Sequence, residues 1–215
     1  MSILIDTMNK TNKKILKVAV TGGAGSGKTS VCSRLKELGV KVISADEMAR
    51  EAVVPGSEAL KKIIHFFGEK VVLPDGTLNR KVMRQIITGN NDARVTLERF
   101  LHDEITKLVH KNVVGAEKEG YLIVVIEVPL LFELDIKDQY DWVVFVSADK
   151  EIRAKRLMER DGTSRDSAQN LINVQMPDEE KVGRADYVVQ NEGTMEQLLE
   201  SVDVLFENLT KIIKK

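Results

Sequence analysis

The stretch Gly22-Gly23-Ala24-Gly25-Ser26-Gly27-Lys28-Thr29 determines how this 215-residue chain folds. It has the phosphate-binding pattern G-x-x-x-x-G-K-[ST], which forms a loop between a strand and a helix. The β-branched run from Leu16 to Val20 precedes it and predicts a buried strand. Val31 and Leu35 follow at helical spacing, and Gly39 is a natural helix end. The sequence therefore predicts a strand–loop–helix unit around this stretch, which we call the P-loop.

Each part of the P-loop has a separate role in binding phosphates. Its glycines allow backbone N–H groups to surround the phosphates, and the start of the helix adds a positive dipole end. Lys28 is a point charge for the β- and γ-phosphates, Thr29 offers its hydroxyl to Mg²⁺, and Ser30 can contact the α-phosphate. The alternative is a glycine-rich turn that binds no ligand. The flanking strand and helix argue against it, because they are the context that a P-loop requires. We therefore expect a nucleoside triphosphate with Mg²⁺ at this loop.

Outside the P-loop, short β-branched runs alternate with segments of helical spacing. This alternation is typical of an α/β protein whose parallel sheet is covered by helices on both faces. The sequence predicts a five-stranded parallel sheet flanked by helices, with strands at Leu16 to Val20, Val40 to Ile43, Leu122 to Ile126, Trp142 to Val146 and Tyr187 to Val189.

Two helical regions interrupt or extend this alternation. Residues 56–118 have helical patterns and no strand pattern, so we expect a helical insert carried on the sheet. A second helical group, Asp149 to Arg160 and Asp166 to Met176, is ended by Pro177. The expected domains are a nucleotide-binding core at 15–55 and 119–215, a lid at about 153–176 within it, the insert at 56–118 and a flexible N-terminal extension at 1–14.

The composition argues against several classes of protein. The chain has 32 Lys and Arg residues and 33 Asp and Glu residues, so its net charge is −1. Proteins that bind nucleic acids independently of sequence need a large excess of basic residues, which this chain does not have. No apolar run approaches the roughly 20 residues of a membrane helix. The single cysteine, Cys32, cannot form an internal disulfide, which suits a reducing cytosol. We expect a cytoplasmic protein, monomeric or weakly homo-oligomeric, without nucleic-acid or membrane partners.

The strand ends supply candidates for the reaction. The sequence has no N-K-x-D or LSGGQ segment, so neither a GTPase nor a transporter ATPase is indicated. Asp46 follows the second strand at the sheet edge where ligands bind, and a carboxylate there can accept a proton from an attacking hydroxyl. The alternative for Asp46 is the N-cap of a helix from Glu47 to Val53. Glu127 ends the third strand, where it can bind Mg²⁺ through water or pair with a Lys or Arg.

Three arginines lie on one face of a predicted helix. Arg153, Arg156 and Arg160 are spaced three and four residues apart. They fit a mobile flap that closes over phosphates and excludes water. The alternative is a solvated face whose arginines pair with Glu151 and Glu159.

The segments beyond the P-loop form an ordered set over nearly all of residues 16–191. They are VTGGAGSGKT from Val20, VISADEMAR from Val42, FGEKVVLPDGTLNR from Phe67, LERFLHDEI from Leu97, VPLLFEL from Val128, RLMERDGTSRDSA from Arg156, QM from Gln175 and ADYVVQN from Ala185. A P-loop alone is unspecific, but the set is highly specific. Together these segments resemble the dephospho-CoA kinase family, which catalyses the last step of coenzyme A synthesis.

This resemblance implies a P-loop kinase whose helical insert binds the acceptor and whose second helical group is a lid. It implies ATP-dependent phosphorylation of the ribose 3′-hydroxyl of dephospho-CoA. Asp46 matches the presumed general base, and Lys28, Arg156 and Arg160 would act with it at the phosphates. The implied nucleotide residues are the P-loop, Ser30, Arg160 and Asn191, and the implied acceptor residues are Asp46, Arg50, Arg80, His102, Leu131 and Phe132. The candidate metal residues remain those of the P-loop pattern and the strand end, Thr29 and Glu127.

Three positions depart from the family pattern. Ser44 stands where the family usually has Asp, Asp103 follows His102 where Pro is usual, and Glu127 stands where Asp usually leads the Val-Pro-Leu-Leu segment. Two alternatives remain, another small-molecule or nucleoside-monophosphate kinase with the same core, and an ATP-hydrolysing switch that phosphorylates nothing. The insert distinguishes these alternatives, because a kinase with a long acceptor needs a second pocket and a switch does not.

Overall fold

Five parallel strands form the centre of the computed structural model, which describes residues 15–214. They are β1 (Leu16–Gly22), β2 (Lys41–Ser44), β3 (Ile123–Glu127), β4 (Trp142–Ser147) and β5 (Tyr187–Gln190), in the spatial order β2-β3-β1-β4-β5. The predicted five-stranded parallel sheet is confirmed. The N-terminal extension predicted at residues 1–14 lies outside the described residues.

Helices cover both faces of the sheet. They are α1 (Lys28–Glu37), α2 (Ala45–Glu51), α3 (Glu58–Phe67), α4 (Arg80–Ile87), α5 (Asn91–Lys118), α6 (Lys150–Asp161), α7 (Arg165–Asn173), α8 (Asp178–Val182) and α9 (Met195–Lys214). Successive side chains of a strand point to opposite faces, so Val18 and Val20 pack with α1 and α9 while Ala19 packs with α5. Among residues 15–214, no helix combines the length and apolar character needed to cross a membrane.

Residues 56–118 form α3, α4 and α5, which enclose a small apolar core of their own. Ser57, Asn79 and Asn90 begin these helices, since each side chain accepts a hydrogen bond from a backbone N–H of the first turn. The 28-residue helix α5 then continues onto the sheet, where Val113 and Ala116 join the core. A continuous helix therefore fixes this part of the chain to the sheet.

Along the chain, the helices α6, α7 and α8 connect β4 to β5, which are neighbours in the sheet. Leu157 of α6 and Ile172 of α7 belong to a small apolar cluster, against which Ala24 of the P-loop packs. The predicted helix from Asp166 to Met176 is wrong at its end, because α7 ends at Asn173. The short helix α8 was not predicted, since its sequence Asp-Glu-Glu-Lys-Val has no apolar period to indicate a helix.

Candidate active site

The P-loop joins the end of β1 to the start of α1, as predicted. Gly25 and Gly27 have φ angles of 76° and 95°, which L side chains rarely adopt, so the loop needs glycine there. The Nζ of Lys28 donates to the carbonyl oxygens of Gly22 at 2.9 Å and Gly23 at 3.0 Å. The ammonium group thus lies folded across the loop, where a bound phosphate would offer it stronger, charged acceptors.

Three charged groups interact where β1, β2 and β3 end. Burial lowers the pKa of Lys28, and the negative charges of Glu127 and Asp46 act against that shift. Burial also raises the pKa of Glu127, while a hydrogen bond from Thr29 and the charge of Lys28 oppose that shift. The crevice therefore disfavours charge in the free protein, and a bound ligand that brings compensating charge would relieve both groups.

The two predicted metal ligands lie together in this crevice. Thr29 Oγ1 donates to Glu127 Oε1 at 3.2 Å. Mg²⁺ prefers oxygen ligands and commonly takes one or two of them from the protein, with phosphates and waters completing its shell. This hydroxyl and carboxylate beside a phosphate-binding loop therefore fit Mg²⁺.

Asp46 lies in the first turn of α2, but it is not the N-cap of that helix. The cap is Ser44, whose Oγ accepts a hydrogen bond from the backbone N–H of Glu47 at 3.3 Å. The alternative prediction, that Asp46 caps a helix from Glu47 to Val53, is therefore wrong, since α2 begins at Ala45 and ends at Glu51. The Asp46 side chain is exposed and lines a cavity.

This cavity has a volume of about 790 Å³ and lies between α2, α5 and the segment after β3. Its walls are mainly apolar, and its polar lining groups include Asp46, His102 and His110. The apolar lining residues include Leu101, Ile105, Val109 and Val113 from α5, and Leu130, Leu134 and Tyr140 after β3. A volume and lining of this kind are typical of a small-molecule site. Sequence reasoning missed this wall, although the four-residue spacing on α5 was available as a signal.

The structure brings only part of the predicted acceptor set to the cavity. Asp46 and His102 line it, whereas Arg50 and Arg80 are exposed and lie outside its lining. Arg80 is the first residue of α4. The cavity therefore links the end of β2 to α5 rather than to α4.

Leu131 and Phe132, which the resemblance implies as acceptor residues, are buried in this structure and do not line the cavity. They are 0% and 2% exposed and pack in the core beneath the sheet face that carries α5. Their neighbours Leu130 and Leu134 line the cavity instead. Residues 129–135 form consecutive turns, in which residues four apart share a face, so the apolar run divides between the core and the cavity.

Arg156 and Asn191 lie at the P-loop. Arg156 Nη2 donates to Asn191 Oδ1 at 3.3 Å, and Asn191 Nδ2 donates to the carbonyl oxygen of Ser26 at 2.7 Å. The Nη1 atom of Arg156 is buried without a hydrogen-bond partner among the described residues. A buried cationic donor that lacks a partner at a phosphate-binding loop is placed to receive an anion.

Arg160 is at the far end of α6 and does not reach the P-loop in this structure. Its Nε and Nη2 donate to the two carboxylate oxygens of Asp161 at 2.7 and 2.8 Å. Both side chains are exposed, so the pair is weakly held and can exchange for another anion. A role for Arg160 at the phosphates therefore requires movement of this helix end.

Arg153 contradicts the alternative interpretation, a solvated arginine face, and it is held in place rather than carried on a mobile flap. It is 1% exposed, and its Nε donates to the carbonyl oxygen of Ala24 in the P-loop at 2.8 Å. The sequence did not indicate this position, because arginine is rarely buried unless it is paired and its partners here are distant along the chain.

The family model and the curated relatives agree on one enzyme family. A family model described as CoaE, dephospho-CoA kinase, matches residues 16–197. A protein of Syntrophotalea carbinolica named dephospho-CoA kinase is 39% identical over 200 residues, which cover 93% of this chain and 95% of that protein. Another of the same name, from Geobacter sulfurreducens, is 39% identical over 191 residues and covers 88% and 96%.

Two solved structures are similar to most of this chain. The structure titled dephospho-CoA kinase from Campylobacter jejuni has a TM-score of 0.69 and 27% identity, covering 91% of this chain and 97% of that one. The structure of TT1252 from Thermus thermophilus has a TM-score of 0.79 and 29% identity, covering 92% and 99%.

Proposed function

The chain belongs to the dephospho-CoA kinase family, and on that premise we propose how its own residues divide the work of phosphoryl transfer. The family catalyses the final step of coenzyme A biosynthesis, in which a phosphate group of ATP is transferred to a hydroxyl group of dephospho-CoA. We place ATP at the P-loop, the acceptor in the cavity beside α5, and the reacting hydroxyl between them at Asp46.

The position of Asp46 is the observation that carries this proposal. Asp46 lines the acceptor cavity, and its charge also acts on Lys28 of the P-loop. A group at the junction of two substrate sites can reach the atoms that react. The cavity volume of about 790 Å³ also lies within the range of sites that bury most of a small-molecule ligand.

The reaction forms one bond and breaks one. The ribose 3′-oxygen attacks the γ-phosphorus of ATP, the proton of the 3′-hydroxyl passes to the Asp46 carboxylate, and the bond from the γ-phosphorus to the β,γ-bridging oxygen breaks to release ADP. Lys28 stabilises the negative charge that develops on the phosphates during the transfer. Phosphoryl transfer depends mainly on such positioning and charge stabilisation, with the proton acceptor completing the step.

Mg²⁺ would be held by Thr29 and Glu127 together with phosphate oxygens, and it would neutralise charge on the phosphates. The protein's part is to keep these two oxygen ligands 3.2 Å apart at the end of β3, beside the loop that binds the phosphates. Burial raises the pKa of Glu127, and a cation bound beside this carboxylate would favour its ionised form and oppose that shift.

The lid would close around the nucleotide from the outer end of α6. Arg156 is already at the P-loop, through Asn191, whereas Arg160 is held by Asp161 at the exposed end of the helix. We therefore place the moving part of the lid after Arg156 and before Gln175, within residues 157–174. In our proposal residues 15–55 and 119–214 form the core, and 56–118 form the insert that supplies the wall of the acceptor cavity.

Charge and cysteine content support our proposals on the protein's localisation and partners. A net charge of −1 and one buried cysteine suit a cytoplasmic enzyme without nucleic-acid or membrane partners. We propose a monomer or a weak homo-oligomer.

An acceptor screen tests the function. The protein is given ATP and Mg²⁺ with dephospho-CoA, with a nucleoside monophosphate or with no acceptor, and ADP release is followed. We expect ADP release only with dephospho-CoA, and none with its 3′-deoxy analogue, which keeps the rest of the molecule. Release with a nucleoside monophosphate would instead indicate a kinase for that class, and equal release without acceptor would indicate an ATP-hydrolysing switch.

A further inference from the structure

A buried guanidinium group holds the outer bend of the P-loop. Arg153 donates from Nε to the carbonyl oxygen of Ala24 at 2.8 Å and from Nη2 to Gln175 Oε1 at 3.4 Å. The same Gln175 oxygen accepts a hydrogen bond from the backbone N–H of Ala24 at 2.8 Å. Both polar groups of Ala24 are therefore fixed by side chains from outside the loop, one from α6 and one from the segment after α7.

The charge of Arg153 is compensated within the same cluster. Its Nη1 lies 2.8 Å from Asp178 Oδ2, at the start of α8, and the Asp178 side chain is 17% exposed. A buried cation needs such a partner, because removing its counter-charge would leave an uncompensated ion in the interior. Ala24, Arg153, Gln175 and Asp178 form one connected group, which we call the P-loop clamp.

The P-loop backbone lies directly against Arg153. A Cβ atom added to Gly23 would lie 2.1 Å from Arg153 Nη2, and one added to Gly25 would lie 2.7 Å from the carbonyl oxygen of Arg153. Such distances are far shorter than a van der Waals contact, so neither position has room for a side chain. At these two positions the glycines of the loop make room for Arg153.

We propose that Arg153 is a positioning residue for ATP, holding the P-loop backbone in its phosphate-binding shape through the P-loop clamp. The planar guanidinium group suits this role, because it donates in several fixed directions and here meets Ala24, Gln175 and Asp178 at once. A loop whose amides are already oriented does not lose conformational freedom when phosphates bind, so its affinity is higher. This inference rests on the proposed function only in placing ATP at the P-loop.

The clamp also ties nucleotide affinity to the segment that follows the lid. Gln175 lies in the connection between α7 and α8, and Asp178 is the first residue of α8. Lys181 Nζ of α8 lies 2.7 Å from Glu133 Oε1, and the next residue, Leu134, lines the acceptor cavity. The segment after the lid therefore contacts both the P-loop, through Gln175, and the turns after β3, through Lys181. A substitution of Gln175 or Asp178 should therefore weaken nucleotide binding through the P-loop backbone, without any direct contact with the phosphates.

The test replaces the ion pair as a unit, so that no buried charge is left alone. We use Arg153→Met combined with Asp178→Leu, and we titrate each protein with the ATP analogue AMP-PNP and Mg²⁺ by calorimetry without acceptor. We expect the AMP-PNP Kd and the ATP KM to rise at least tenfold, with the dephospho-CoA KM within about twofold. The matched control is Arg34→Met with Asp203→Leu, which removes a two-bond Arg–Asp pair between α1 and α9, away from the loop.

A single substitution covers the case in which the double variant fails to fold. Gln175 is half-buried, and Gln175→Met removes the acceptor of the Ala24 N–H while leaving Arg153 and Asp178 paired. We expect a severalfold rise of the AMP-PNP Kd in this variant, with a melting temperature only a few degrees lower, because two donors lose their acceptor.

Several results would overturn the positioning role. They are a melting temperature that falls while AMP-PNP binding stays within twofold of wild type, and an equal loss of binding in the Arg34 control. A wild-type protein that does not bind AMP-PNP would refute the nucleotide site and the positioning role together. Normal binding without phosphoryl transfer to dephospho-CoA would refute only the proposed function.

Discussion

Asp46 and Ser44 allow proton acceptance to be separated from helix capping. The two residues are neighbours at the start of α2, and both are of a type that caps helices. The structure gives the cap to Ser44 and places Asp46 on the acceptor cavity. We therefore expect Asp46→Asn to lower kcat strongly, and Ser44→Ala to lower stability with little effect on kcat.

The two substitutions should cost similar amounts of stability. Losing an N-cap costs about 0.5–2 kcal/mol, and the Ser44 hydrogen bond of 3.3 Å is long, which favours the lower half of that range. Asp46→Asn removes a negative charge from the first turn of α2, which is worth about 0.3–1 kcal/mol through the helix dipole. For a chain of this size 1 kcal/mol corresponds to about 2–4 °C in Tm, so both variants should melt a few degrees lower.

The kinetic effects should differ by orders of magnitude. Removing a general base typically lowers the rate by about 10²–10⁴-fold, so Asp46→Asn should lose that much kcat, while Ser44→Ala serves as its control for destabilisation. The assay is ADP release at saturating ATP and dephospho-CoA, with single-turnover measurements to show that chemistry limits the rate. A kcat for Asp46→Asn within about threefold of wild type would remove Asp46 from the reaction and leave positioning and phosphate electrostatics as its basis.

Three further predictions address the phosphates, the metal and the acceptor. Lys28→Ala should abolish measurable transfer in a folded protein, because it removes charge stabilisation worth several kcal/mol, and near-normal turnover would contradict the site. Because its pKa is raised, the Glu127 carboxyl of the metal-free folded protein stays protonated at pH values above its ordinary pKa of 4.5. Its unfolding free energy should therefore fall as pH rises from 4.5 through the raised pKa. Glu127→Gln should remove that decrease and raise the Mg²⁺ concentration needed for activity, and an unchanged denaturation profile and Mg²⁺ requirement would refute this reasoning. His102→Ala should raise the dephospho-CoA KM severalfold while Arg80→Ala changes it less, and the reverse order in steady-state kinetics would move the acceptor out of the cavity.

The parts of the fold that depend on local sequence were predictable. The P-loop pattern fixes a strand before it and a helix after it, and β1 and α1 lie where that pattern requires. The β-branched runs indicated the remaining strands for the same reason, since a parallel sheet buries both faces of each strand. The crevice between Lys28, Thr29 and Glu127 follows from strand ends that meet at one edge of the sheet.

The parts that depend on contacts distant in sequence were not predictable. Arg153 is buried because Ala24 and Asp178, 129 and 25 residues away, receive its hydrogen bonds. Nothing in the helix that carries it distinguishes it from its solvated neighbours. Leu131 and Leu130 are equally apolar, and only the turns after β3 decide which of them enters the core.

The order of strands in the sheet has a consequence for synthesis on the ribosome. β1 is the first strand to be made, yet its two neighbours are β3 and β4, about a hundred residues later in the chain. At about 5–20 residues per second, β1 waits on the order of 5–20 s with both edges unpaired. In that interval α3, α4 and the first half of α5 can enclose their own apolar core. The nascent chain can therefore fold its insert before its P-loop, and the period in which an edge of β1 is unpaired ends only when β4 emerges.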